Sequence, residues 1–141
     1  MKLIENILLI VNSNDSTMEK IKKLGIINTT IGNTYFINPS FEDCKFLSCT
    51  VVTGEITKIG ITLCEKLSLY QISNKLEVMP IVKYNFYDEV SVFNFPKKNY
   101  HISISIKGYY ESKDECYFIN DKAISLKDIF FDELDIIPTL R

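Results

Sequence analysis

The sequence has one arginine, one histidine, no tryptophan and no glycine-rich phosphate-binding loop among its 141 residues. Enzymes most often use histidine as an acid–base group, and they hold anionic groups with arginine or with such a loop. Proteins that bind nucleic acid usually have a basic face, and they use arginine to bind phosphate and guanine. With a net charge of −2, the chain is predicted to bind no nucleic acid, to need no cofactor and not to be an enzyme.

Metal, export and membrane signals are also missing. The four cysteines (Cys44, Cys49, Cys64 and Cys116) lack the two-residue gap of a zinc knuckle, and one histidine does not complete a ligand set. We therefore predict no metal site and expect mostly buried free thiols. The N-terminal apolar run is about five residues long and no signal-peptide cleavage site follows it. A single cytoplasmic domain over residues 1–141, with no membrane contact, is expected.

Hydrophobic periodicity predicts an α+β fold, with one twisted antiparallel sheet built as a meander between N-terminal helices and a C-terminal helix. Residues 2–11 have an apolar pattern that favours a helix. Ser16 and Glu19 have the spacing of a capping box, which begins a second helix that ends at Gly25. These two helices precede the predicted sheet.

Short alternating segments indicate strands from about residue 26 to residue 120. The clearest are a hairpin over residues 45–63 and a strand over residues 101–107, where isoleucines alternate with polar residues. Another strand is predicted over residues 81–87, directly after Pro80. Residues 64–79 are ambiguous, and a strand over residues 68–72 is one interpretation.

The chain is predicted to close with a helix. Ser125 is the expected cap, and Asp128 has the capping-box position. On a helical wheel the apolar side chains Leu126, Ile129, Phe130 and Leu134 fall together, and three aspartates share the opposite face with Phe131 at the border. The predicted partner-binding residues are Asp128, Phe131, Asp132 and Asp135.

Few side chains are candidates for catalysis. His101 is the one possible general base, and the pairs Glu42-Asp43 and Asp88-Glu89 could each contribute half of a metal or glycosidase site. Nucleophilic catalysis also needs an oriented base and an oxyanion hole, and the sequence shows no motif for either. A surface histidine and ordinary loop acids are the favoured interpretation, so no catalytic residue is assigned.

Aromatic side chains are concentrated between residues 84 and 118. Two interpretations are open: a second layer of core under the helices, or an exposed patch that anchors a protein interface. The aromatic residues in this stretch are Tyr84, Phe86, Tyr87, Phe93, Phe95, Tyr100, Tyr109, Tyr110, Tyr117 and Phe118.

Charge is unevenly distributed along the chain. Residues 109–141 carry eight acids against four basic residues, whereas residues 1–108 carry ten acids against twelve lysines. The acidic segment is either a solvated face or a docking surface for a basic partner. Nuclease toxins are usually basic because they grip phosphate, and an acidic inhibitor associates with them faster and more specifically.

In overall character the chain resembles small bacterial immunity proteins, the class that neutralises contact-dependent growth-inhibition toxins and related polymorphic toxins. The resemblance is carried by residues 35–39 through 55–63, a hairpin after a short helical start, together with a composition rich in residues of A/T-rich codons. The resemblance implies a monomer that forms a heterodimer with a cognate toxin, which we expect to be a nuclease. It assigns no functional residue to this chain. A chaperone or adaptor for a secreted effector, or a small-ligand-binding domain, are the alternatives.

Overall fold

A computed structural model describes residues 2–139. Within this range the α-helices are α1 (Lys2–Val11), α2 (Thr17–Leu24) and α3 (Leu69–Leu76). The strands are β1 (Gly25–Ile31), β2 (Thr34–Pro39), β3 (Cys44–Val52), β4 (Glu55–Ser68), β5 (Ile81–Asn85), β6 (Val90–Pro96), β7 (Tyr100–Lys107), β8 (Tyr110–Lys113), β9 (Cys116–Ile119), β10 (Lys122–Ile124) and β11 (Phe130–Pro138). A 3₁₀ turn over Leu126–Asp128 precedes β11.

Eight of these strands form one antiparallel sheet in the order β1-β2-β3-β4-β11-β7-β6-β5. Strands β1 to β4 follow one another, as do β5 to β7, and β11 lies between the two groups and pairs with β4 and β7. A small second sheet has the order β10-β9-β8. The predicted α+β class, antiparallel sheet and N-terminal helices are confirmed, but a single meander is wrong because β11 is inserted at the centre.

Local sequence accounts for the helix ends. The Ser16 hydroxyl accepts a hydrogen bond from the Glu19 amide, as expected for an N-cap. Helix α2 ends at Gly25, where a Cβ atom would overlap the backbone of Asn38 in the neighbouring strand. Helix α3, over the ambiguous segment, begins with a complete capping box between Ser68 and Gln71.

The predicted C-terminal helix is wrong. The Ser125 hydroxyl caps only the 3₁₀ turn, accepting from the Lys127 amide at 3.2 Å, and the chain then enters β11. This segment is rich in isoleucine and phenylalanine, and it finds backbone partners on both sides, which favours a strand. The ladder with β4 is irregular between Phe131 and Glu133. Phe131 and Leu134 therefore both face inward, and their spacing of three imitates a helical period.

One face of the large sheet forms the core. A row of paired residues crosses five strands on this face, and each of its members is fully buried: Cys49, Ile59, Ile136, Ile102 and Phe95. Apolar side chains of the three helices join the same hydrophobic cluster. Because neighbouring strand residues point to opposite faces, the next row faces away from the helices, on the open face of the sheet.

Candidate functional site

The structure separates the four residues predicted to bind a partner. Asp128 is exposed in the 3₁₀ turn and Asp132 is exposed in β11, whereas Asp135 is half-buried on the open face. The ring of Phe131 lies in the core, with 5% of its surface exposed. Since these residues are not on one helix, the shared acidic face on which the prediction depended is absent. That Asp128, Asp132 and Asp135 contact a partner stays a prediction.

An exposed group of aromatic rings lies at the edge of the large sheet. We call Tyr84, Phe86, Tyr87 and Tyr109 the aromatic tip. Phe86 is 79% exposed and Tyr87 is 99% exposed. The ring centroid of Tyr84 is 4.9 Å from that of Phe86 in an edge-on arrangement and 4.8 Å from that of Tyr109. The edge-to-face contact between Tyr84 and Phe86 favours one relative orientation of these two rings.

The turn between β5 and β6 orders the backbone that carries the two most exposed rings. The Asn85 side-chain oxygen accepts hydrogen bonds from the amides of Tyr87 at 2.9 Å and Asp88 at 3.4 Å. The Asn85 side-chain nitrogen donates to the Asp88 carboxylate at 3.2 Å. This asparagine turn holds the backbone of the tip before any partner arrives. The sequence interpretation continued the strand to residue 87, whereas β5 ends at Asn85.

The other aromatic residues of this stretch are mostly core. Phe93 and Phe95 are fully buried in the hydrophobic core, and Tyr110 and Tyr117 pack on Phe93 from the small sheet. The Tyr117 hydroxyl donates a 2.7 Å hydrogen bond to the carbonyl of Pro80. Both interpretations of the aromatic stretch therefore hold for part of it, and the exposed part is the aromatic tip.

A groove of about 840 Å³ lies between helix α3 and the small sheet. Its wall includes the exposed side chains of Tyr70 and Met79, and the Lys127 ammonium lies 4.7 Å from the centre of the Tyr70 ring. Glu77 and Glu115 add carboxylates to its lining. A volume of this size suits a small molecule. Sequence reasoning missed the groove because it left α3 undefined.

The candidate catalytic side chains named from the sequence lie on different elements of the fold. His101 is half-buried on the open face, opposite Ile137. Glu42, Asp43, Asp88 and Glu89 are all exposed. Within residues 2–139 no three histidine, cysteine, aspartate or glutamate side chains are grouped so as to hold a metal ion.

The cysteines differ from the expectation of buried thiols at two positions. Cys64 and Cys116 are exposed, while Cys44 and Cys49 are buried. Burial raises the pKa of the Cys49 thiol to about 12, and burial together with the nearby Cys64 raises the pKa of Cys44 to about 11. The two buried thiols are therefore protonated at neutral pH and poor nucleophiles.

Comparisons of the chain with protein-family models, with curated proteins and with solved structures gave no match. Over the described range, every helix is too short or too polar to cross a bilayer.

Proposed function

We propose that this chain is a protein-binding domain that neutralises a bacterial toxin by direct contact, with the aromatic tip as its anchor. The observation that carries the proposal is the pair Phe86 and Tyr87, two large side chains that are 79% and 99% exposed on a hydrogen-bonded turn. Exposed aromatic clusters are typical anchors of protein interfaces. In this proposal the chain is a monomer in the cytoplasm until it forms a one-to-one complex with the toxin.

The energetics favour the tip as an anchor. Burying a phenylalanine or tyrosine ring against a partner contributes about 1.5–3 kcal/mol for each ring. The asparagine turn already orders the backbone that carries the rings, so less conformational entropy is lost when they bind. Two such rings are enough for a hot spot, since a few buried aromatic residues commonly supply most of an interface's affinity.

The charge around the tip suits a basic partner. Asp88 and Glu89 are exposed in the same turn as the two rings. Carboxylates next to an apolar anchor attract a basic toxin, such as a nuclease that must grip phosphate, and they raise the association rate. Lys83 and Lys107 are also exposed nearby in β5 and β7, so the acidic character is confined to the turn.

The test is a growth assay combined with co-purification. The C-terminal domain encoded by the neighbouring upstream gene is expressed with and without this chain. We expect that domain to stop growth alone, and the chain to restore growth and co-purify with it. Tyr87→Ala should cost about 2 kcal/mol of binding, a roughly 30-fold loss of affinity. The exposed Leu9 is the control, since Leu9→Ala lies on α1 and should bind normally.

Two results would count against the proposal. One is a harmless neighbouring domain that does not co-purify with the chain. The other is full rescue of growth and unchanged affinity when Phe86 and Tyr87 are both replaced by alanine, because the interface would then lie elsewhere. Asp88→Asn should lower the association rate and make that rate less dependent on salt concentration. The substitution should not unfold the strands on either side of the turn.

Small-ligand binding is a second candidate function, and the groove beside α3 favours it. Ala123 is exposed and lines this groove, so Ala123→Phe should fill much of it. Under the toxin-binding proposal that variant rescues growth normally. If the groove binds a small ligand, a compound that raises the melting temperature of the wild type should not stabilise Ala123→Phe, whereas it should still stabilise the double alanine variant of the aromatic tip.

A further inference from the structure

The open face of the large sheet contains a notch of about 370 Å³ over strands β2, β3, β4 and β11. Two rows of paired residues form it, and each row runs from a phenyl ring to a carboxylate. One row is Phe36, Ser48, Gly60 and Asp135, and the next is Phe46, Thr62 and Glu133. The notch thus has aromatic side chains at one end, small or hydroxyl-bearing residues in the middle and two carboxylates at the other end.

Gly60 makes the notch possible. Its backbone is not in the left-handed region, so conformation gives no reason for glycine in this central strand. A Cβ atom at this position would lie 2.7 Å from the Ser48 hydroxyl oxygen and 3.4 Å from a carboxylate oxygen of Asp135. Glycine inside a strand weakens it and often marks a place where a ligand approaches the backbone closely.

The carboxylate of Asp135 is incompletely compensated. Burial raises the pKa of Asp135, and the attraction of Lys58 lowers it by less. Glu133 lies on the same face, two residues away. The Lys45 ammonium is 5.6 Å from the centre of the Phe46 ring, a distance at which an aromatic ring attracts a cation. A further positive charge in the notch would therefore be stabilised by the carboxylates.

The hydrogen-bonding groups of the notch limit the kinds of ligand that can bind there. Ionised carboxylates only accept hydrogen bonds, so the ligand must donate several. Phenyl faces attract cations, and among the common organic cations a guanidinium is planar, stacks on aromatic rings and donates in a fork that matches a carboxylate.

We propose that this notch binds a guanidinium group, with its flat face toward the rings of Phe36 and Phe46 and its N–H groups directed to Glu133 and Asp135. The group belongs either to a small molecule such as free arginine or to an arginine side chain of a protein. The notch is on different strands from the aromatic tip, so this inference stands independently of the proposed function.

The experiment is an NMR titration of the ¹⁵N-labelled chain with methylguanidinium, with urea as the neutral probe of similar shape. We expect saturable shifts of the amides of Ser48, Gly60 and Thr62 with methylguanidinium and none with urea. Free arginine and the peptide acetyl-Gly-Arg-Gly-amide are titrated in parallel. Tighter binding of free arginine identifies a small-molecule source, tighter binding of the peptide identifies a protein source, and both results support the site.

Gly60→Ala is the decisive variant. The added methyl group occupies the notch, so affinity for methylguanidinium should fall about tenfold or more. The Ser48 hydroxyl is at the end of a rotatable side chain and can move aside, so the melting temperature should stay unchanged or rise. Asp135→Asn should weaken binding similarly. Ser103→Ala is the control, because Ser103 pairs with Asp135 from β7, does not line the notch and should not change binding.

The proposal is overturned if methylguanidinium produces no saturable shifts, if urea reproduces them, or if a folded Gly60→Ala variant binds as well as the wild type. None of these outcomes bears on toxin neutralisation, which is tested through the aromatic tip. Conversely, if the double alanine variant of the aromatic tip fails to rescue growth, that result does not contradict guanidinium binding in the notch.

Discussion

Two adjacent phenylalanines in β11 allow a direct test of the strand assignment. Phe131 is 5% exposed and Phe130 is 55% exposed. Replacing a buried phenylalanine by alanine removes its transfer free energy and leaves a cavity, at a cost of about 3–5 kcal/mol. A chain of this size has an unfolding entropy of about 0.3 kcal/mol/K. Phe131→Ala should therefore lower the melting temperature by about 10–17 °C.

The assay is urea unfolding followed by tyrosine fluorescence or circular dichroism, with thermal melts beside it. Phe130→Ala is the matched control, since it makes the same chemical change one residue away on the opposite side of the strand. It should cost less than about 1 kcal/mol. If Phe131→Ala is too unstable to purify, Phe131→Leu keeps most of the buried volume and should show a smaller loss in the same direction.

The helical interpretation makes the opposite prediction for this pair. There Phe130 belongs to the apolar stripe and Phe131 borders the acidic face. If Phe130→Ala were the costly variant, and Phe131→Ala were folded normally but failed to bind a partner, the strand assignment and the reasoning from it would be refuted.

Three further predictions concern individual contacts. Tyr117→Phe removes the hydrogen bond to the buried carbonyl of Pro80 and should lower the free energy of unfolding by about 1–2 kcal/mol in urea titrations. Ser68→Ala breaks the capping box with Gln71 and should cost about 1 kcal/mol by the same measurement. Burial raises the pKa of Asp135, so the folded chain holds this proton to higher pH than the unfolded chain. Stability should therefore fall as pH rises above the ordinary aspartate value of 3.8, and Asp135→Asn should remove that part of the pH dependence. Equal pH profiles for wild type and variant would contradict this assignment.

Local signals in the sequence were sufficient for the two N-terminal helices and for one hairpin. The caps at Ser16 and Gly25 and the hairpin of β3 and β4 are determined by near neighbours in the chain, and all are present in the structure. Helix α3 carried an equally local signal, Ser68 followed three residues later by Gln71, which the sequence interpretation overlooked. By contrast, β11 depends on partners in β7 and β4 that lie 32 to 77 residues earlier, and no local pattern contains that information.

The sequence predicted that the candidate site would be rich in aromatic residues, but not which of these residues would be exposed. The density of aromatic residues indicated an interface, but which rings are exposed depends on where β5 ends. Asn85 and Asp88 flank Phe86 and Tyr87, and this polar, turn-forming pair was the signal that separates the tip from the strand. The notch was not predictable, since it joins Phe36 and Asp135 across nearly 100 residues of sequence, and Gly60 carried no motif.

The central position of β11 has a consequence for how the protein is made. Its residues follow all the other strands in the chain, yet it is the one strand that joins β4 to β7. During synthesis, β1 to β4 and β5 to β7 therefore form two partial sheets. Each partial sheet keeps an unpaired edge strand until residues 130–138 have been synthesised. Long-range pairing of this kind is slow and leaves edges open to other chains. Substitutions that weaken β11 should therefore prolong the lifetime of the two unjoined partial sheets. They should lower the yield of soluble protein by more than their effect on the free energy of unfolding implies.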